Sequence, residues 1–100
     1  MFVNLKPSAV LNQNRALIRS VALKHRTINP RVFGSVLKGE DEGGSDLDLL
    51  VEPIPGTTLF DLGAIQFELE EALGIPVDVL TPGDLPGKFR EQVLKDALPV

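Results

Sequence analysis

Asp46 and Asp48 stand one residue apart at the head of an apolar run, DLDLLVE, and Asp78 repeats the pattern in VDVL. Side chains alternate along an extended strand. Asp46 and Asp48 therefore share a face, with α-carbons about 6.5–7 Å apart, while Leu47, Leu49 and Val51 point the other way. Two carboxylates held that close repel each other, and ionising both beside a core is costly unless a cation intervenes. A divalent, oxygen-preferring ion such as Mg2+ is the natural counter-charge, since it binds one or two carboxylates plus substrate phosphates. With Asp78 on a neighbouring strand, the acids would form the cluster that two-metal phosphoryl or nucleotidyl transfer requires. The bland alternative is a solvated pair, because D-x-D spacing is common and acids at strand starts usually face water. A calcium loop does not fit, since Leu50 occupies the position where a third oxygen ligand belongs.

Gly34-Ser35 lies upstream, at the end of the run RVFGS. A glycine there lets the backbone turn sharply and approach a ligand, and the serine adds a hydroxyl beside the exposed amides of a following helical turn. The plain reading is an ordinary strand-ending turn, and no G-x-x-x-x-G-K-[ST] phosphate loop is present. Lys38 follows as a loop cation that either meets phosphate or simply faces solvent. His25, the only histidine, is expected to end the first helix, where a cation meets the helix dipole favourably. The acidic run Glu40-Asp41-Glu42 reads as solvated loop, or as a guide for a basic partner.

The elements that must position these residues alternate between helical and strand patterns. A helix is expected from Ser8, as its cap, to about His25, with Val10, Leu11, Leu17, Ile18 and Val21 buried. Asn29-Pro30 breaks the chain before a short strand over RVFGS, and a second strand covers residues 46–52. Residues 58–73 form a helix with Leu59, Leu62, Ile65, Leu69 and Leu73 inward; Thr58 and Asp61 make a capping box and Gly74 a stop. A third strand, VDVL, and a last helix over about Lys88 to Ala97 complete the chain. The order α-β-β-α-β-α predicts an α/β or α+β fold with helices packed on a small mixed sheet, in a single domain over residues 1–100.

Composition narrows the function classes. The chain is 43% apolar, enough for one core, and its net charge of −4 argues against a module gripping nucleic acid through phosphates. No cysteine is present, which removes disulfides and thiolate metal sites and fits a cytoplasmic protein. No apolar stretch approaches the roughly 20 residues of a membrane span, and the N-terminus has no signal-peptide pattern, so no membrane association is expected.

Gly34-Ser35, ten intervening residues, then Asp46-x-Asp48 resembles the G-S-x10-D-x-D signature of the DNA polymerase β-like nucleotidyltransferase superfamily. The wider stretch FGSVLKGEDEGGSDLDLLVE is similar to the core of its minimal nucleotidyltransferases, and the resemblance covers essentially the whole chain. It implies that Asp46, Asp48 and Asp78 bind two Mg2+ ions, with Asp78 helping to deprotonate the attacking hydroxyl. It implies too that Gly34 and Ser35 cradle the outer phosphates of a nucleoside triphosphate such as ATP. One departure is visible: family members read G-S-R-A-R-G-E, whereas this chain reads GSVLKGE, so Lys38 alone stands at a basic position. The family further implies transfer of a nucleoside monophosphate, AMP from ATP, to a hydroxyl. The acceptor would be a tyrosine of a small helical HEPN toxin, to which the transferase is the antitoxin. Two other functions stand beside that one: a degenerate binding module that neutralises its partner by contact, and a transferase acting on a small hydroxylated substrate. A homo-oligomer or hetero-complex is expected, because a domain this small gains from burying surface against a partner.

Overall fold

The computed structural model describes residues 5–100 as a four-stranded mixed sheet of order β3-β2-β1-β4 with helices packed against it. In chain order the elements are α1 (Pro7–Gln13), α2 (Arg15–Lys24), β1 (Thr27–Phe33) and α3 (Ser35–Lys38). They continue with β2 (Leu47–Pro53), α4 (Leu59–Leu73), β3 (Val77–Leu80), a 3-10 turn (Pro82–Asp84), α5 (Gly87–Asp96) and β4 (Leu98–Pro99). β1 runs antiparallel to β2 and β4, while β2 and β3 are parallel, joined by α4. The expected mixed α/β architecture is the one observed. Among the described residues no helix is long and apolar enough to cross a membrane.

The single first helix expected from Ser8 to His25 is instead two. Asn14 separates them: its side-chain amide donates to the Val10 carbonyl at 2.8 Å, taking the acceptor that the backbone would use to continue the turn. The break turns Leu17 partly outward at 37% exposure, while Val10, Leu11, Ile18 and Val21 are buried as the pattern predicts. Ser8 does not cap the helix. Pro7 opens it, where a missing N–H costs nothing, and Asp41 from a distant loop accepts the Ser8 amide at 2.9 Å. Asp41 is only 6% exposed, so the acidic run is not uniformly solvated loop; Glu40 and Glu42 are exposed, and Asp41 is a helix cap.

Asn29-Pro30 does not end a segment either. β1 runs through it as a bulge, the register with β2 shifting between Ile28 and Arg31 and Asn29 taking φ of 53°. A bulge is where a strand tolerates a residue with no N–H to give. The Pro30 carbonyl is used on the other side, accepting the Val100 amide at 2.9 Å. This bond and the Arg31–Pro99 and Val32–Leu98 pairs make β4, an element absent from the sequence expectation.

α4 begins and ends as its sequence predicts. Thr58 and Asp61 bond reciprocally, and Gly74 closes the helix at φ of 72°. Ile65, Leu69 and Leu73 face the core with Leu62 partly buried, but Leu59, expected inward, is 82% exposed. The core they enter lies against Val32, Leu47, Leu49, Val51, Val77 and Val79. On the opposite face of the sheet the alternate residues, Phe33, Asp48 and Asp78, are free to form a site.

Candidate active site

Strand register brings the carboxylates together. Asp48 is the Cα partner of Asp78 across the parallel β2–β3 pair and of Phe33 across the antiparallel β1–β2 pair. Asp46 lies one residue before β2, near enough for its charge to act on Asp48. Burial is the main influence pushing the Asp48 carboxyl up to about 6, with the charges of Asp78 and then Asp46 adding to it. A hydrogen bond that the protonated Asp48 carboxyl donates to Asp78 favours that form further. Asp48 is partly buried while Asp46 and Asp78 are exposed, so Asp48 bears most of the desolvation.

Gly34 holds the other wall of this position. Its φ of 76° and ψ of −147° lie where residues with a side chain are strained. A Cβ built there would overlap the Asp48 carboxylate, with Asp48 Cγ only 3.1 Å away. The position requires glycine for two independent reasons, backbone angle and space. Gly34 thus ends β1 directly against Asp48 and caps the single turn α3, which Ser35 begins. The first amides of such a turn have no intrahelical partner. Gly39 stops it in the left-handed region at φ of 71°, and the Glu40 amide returns to the Ser35 carbonyl at 2.9 Å.

The departure from the family pattern has a structural counterpart. Val36 packs against the core, while Leu37 and the exposed Lys38 border a cleft of about 620 Å3 that opens beside Gly34. Phe33, Leu80, Leu85, Phe89 and Val93 supply the rest of its mainly apolar wall. Leu80 follows Asp78 by two residues, so the cleft and the acids occupy the same sheet face. These wall residues were not singled out in the sequence. An exposed Phe89 in the final helix was the available signal, but only the fold brings it to Gly34.

The donor set is all carboxylate, suited to a hard, oxygen-preferring cation such as Mg2+. Its mutual repulsion and the raised Asp48 carboxyl are what a counter-cation would relieve. Among the described residues no three acidic or histidine side chains are gathered closely enough to hold a metal by themselves. A cation here therefore needs substrate oxygens as well, consistent with how Mg2+ is bound beside phosphates. His25 stands apart from this centre as expected. It ends α2 with Nε2 2.7 Å from Glu68, which also meets Lys24 at 3.0 Å; the His25 bond, then the Lys24 bond, hold the Glu68 carboxyl below its ordinary range.

Comparison with known proteins agrees with this geometry. The model of the nucleotidyltransferase domain matches residues 15–100. A Methanocaldococcus jannaschii protein named "putative protein adenylyltransferase" is 37% identical over 90 residues, which are 90% of this chain and 97% of that one. A solved structure described as a "putative minimal nucleotidyltransferase" superposes with a TM-score of 0.83 at 40% identity, covering 93% of this chain and 95% of the other. A toxin–antitoxin crystal structure with AMP-PNP shares the fold, with a TM-score of 0.71 at 20% identity over 89% of this chain and 72% of that one. With the domain match running from α2 to the last residue, and a relative of its own length beside it, the chain belongs to the nucleotidyltransferase family.

Proposed function

We propose that the protein transfers AMP from ATP, with Mg2+, to a hydroxyl on a partner protein, and that it thereby acts as the antitoxin of a small helical toxin of the HEPN type. The observation that carries this reading is the Asp48–Asp78 pair set against the Gly34 turn, with a cleft opening beside that turn. The adenylyltransferase name of the archaeal relative and the toxin–antitoxin neighbour supply the acceptor class. A tyrosine hydroxyl fits, because a mainly apolar cleft beside Gly34, on the same sheet face as the acids, admits an aromatic side chain.

In this reading Gly34, Ser35 and Lys38 hold the outer phosphates, and the acceptor oxygen attacks the α-phosphorus in line. The new O–P bond forms as the bond to the bridging oxygen breaks; pyrophosphate leaves, and Asp78, exposed at the site, receives the hydroxyl proton. Bound Mg2+ supplies charge neutralisation for the triphosphate and for Asp46 and Asp48. Most of the rate comes from positioning and electrostatics, with no covalent step asked of the protein.

The test is transfer of label from α-labelled ATP to a purified HEPN partner in the presence of Mg2+. Asp48→Asn is expected to reduce transfer at least 100-fold with the fold intact. Asp78→Asn is expected to slow transfer while sparing most nucleotide binding. If transfer survives Asp48→Asn, the assignment of the acids is wrong. The Val36-Leu37 departure favours a second reading, a module that neutralises its partner by contact. Partner inhibition that persists without measurable Mg-ATP binding at millimolar concentration selects that reading. Label appearing on a small hydroxylated compound, with no protein acceptor, selects a small-molecule transferase.

A further inference from the structure

One peptide unit ties the two acid-bearing strands together. The Leu47 amide, between Asp46 and Asp48, donates to the Pro76 carbonyl at 2.9 Å. That carbonyl and the Val77 N–H belong to the same planar trans peptide, so the N–H points the opposite way, off the open edge of the sheet. There the Glu70 carboxylate accepts it at 3.0 Å, reaching out from the last turn of α4. The peptide plane that precedes Asp78 is therefore gripped from both sides, by β2 and by α4. Glu70 is fixed through its backbone as well, because its carbonyl accepts the Gly74 amide that closes the helix, at 2.9 Å. Its backbone and side chain together set the turn Gly74-Ile75-Pro76 that leads into β3.

Electrostatics alone would not put a carboxylate there. A helix C-terminus opposes negative charge, and the last turn of α4 holds no basic residue. The compensation is the edge-facing amide of Val77, a residue only 1% exposed. Burial of Val77 and Val79 already forbids β3 to slip by one residue, since a slip would turn both valines outward. Apolar packing is non-directional, so the fine spacing and tilt of the strand depend on hydrogen bonds. β3 is a short edge strand with one neighbour, and the Glu70 bond is its tie on the other side. We propose that Glu70 is a positioning residue for Asp78, holding β3 against β2 so that this carboxylate faces Asp48 at the spacing the reaction needs. The proposal rests on the reading of Asp78 as the group that receives the hydroxyl proton. A misplacement of about 1 Å is enough to cost on the order of 100-fold in rate.

Three variants separate reach from charge. Glu70→Ala removes both, Glu70→Asp keeps the charge but falls one methylene short, and Glu70→Gln keeps an oxygen at full reach. With α-labelled ATP, Mg2+ and the purified HEPN partner, Glu70→Ala and Glu70→Asp should lose at least 10-fold in kcat, with KM for ATP within about 2-fold of wild type. Glu70→Gln should stay within about 3-fold of wild type. In an Asp78→Asn background Glu70→Ala should cost less than about 2-fold more, because the residue it serves is already gone. Wild-type transfer by Glu70→Ala, equal losses in all three variants, or an undiminished loss in the Asp78→Asn background overturns the proposal. The second readout needs no reaction. Amide exchange at Leu47, which Glu70 does not touch, should quicken at least 10-fold relative to the β1 amides in Glu70→Ala and Glu70→Asp, and not in Glu70→Gln. A general loss of stability would quicken both strands alike, and that result overturns the proposal, as does an unchanged Leu47 amide. If Glu70→Ala does not fold, Glu70→Asp carries both readouts. If the wild type transfers nothing, the transfer reading fails and Leu47 exchange still decides whether Glu70 holds β3 in place.

Discussion

Asp48 is the residue where burial, charge and chemistry meet. Its carboxyl is raised to about 6, so the folded protein holds that proton more tightly than the unfolded chain does. The sign follows from linkage: this group favours folding most below pH ~4, the favour fades as pH rises toward 6, and above that the ionised group opposes folding by a constant amount. Asp48→Asn removes the opposing charge. It should raise stability at pH 8 by on the order of 1 kcal/mol, solvent screening absorbing the rest of the shift, and leave it nearly unchanged at pH 4. For a domain this size that is a rise in Tm of about 4–8 °C. Thermal melts of both proteins at pH 4 and 8 check it; equal melting temperatures at pH 8 would show that Asp48 is not electrostatically strained. A variant that loses transfer yet melts higher separates a catalytic role from a structural one.

At the element scale, α1 depends on a residue from another part of the chain. Asp41 accepts the Ser8 amide, and that bond is the chief reason its carboxyl lies below the ordinary range. Its stabilisation is present above the unfolded value of ~3.8 and disappears as pH falls through the lower folded value. Asp41→Ala should therefore cost about 1 kcal/mol at neutral pH, in the range for a lost cap, with the deficit shrinking below pH ~3.5. Urea melts at pH 7 and pH 3 measure it. The same element shows why sequence reading succeeded in some places and failed in others. The α4 capping box, the Gly74 stop and the VDVL strand depend on neighbours within a few residues, and all were legible. The kink at Asn14 turned on one side-chain hydrogen bond, and the cap from Asp41 on a contact 33 residues away. For the site, the acids and the Gly-Ser pair stand out because their spacing along the chain is itself the signal. The cleft wall does not, because Phe33, Leu80 and Phe89 meet only through the sheet order.

Among the described residues the main core lies on one side of the sheet, with Leu50 buried on the other. α2 and α4 bury their stripes under the sheet, whereas α5 has no fully buried residue and Phe89 is 55% exposed at the cleft. The terminal segment after α5 is held mainly by β4, by Arg15 to the Pro99 carbonyl at 3.3 Å, and by Arg19 to the Val100 carbonyl at 2.8 Å. Local opening takes the least buried unit first. Amides 90–96 should exchange at least 100-fold faster than those of β2, and Mg-ATP should slow them if the cleft receives the nucleotide. Hydrogen exchange with and without Mg-ATP reads both outcomes; uniform protection of α5 and β2 would contradict this placement of the main core.

The parallel pairing of β2 with β3 also sets a schedule. Asp48 and Asp78 are neighbours only after α4 has carried the chain across and β3 has docked beside β2, a non-local step of the kind that forms slowly. Residues 46–48 leave the ribosome well before residue 78 can join them, and for that interval the nascent chain displays its acids without the partner strand. The ends of α4, set by the Thr58–Asp61 box and the Gly74 stop, need only neighbours within a few residues. In a newly made chain those ends can be specified before the two acids face each other across β2 and β3.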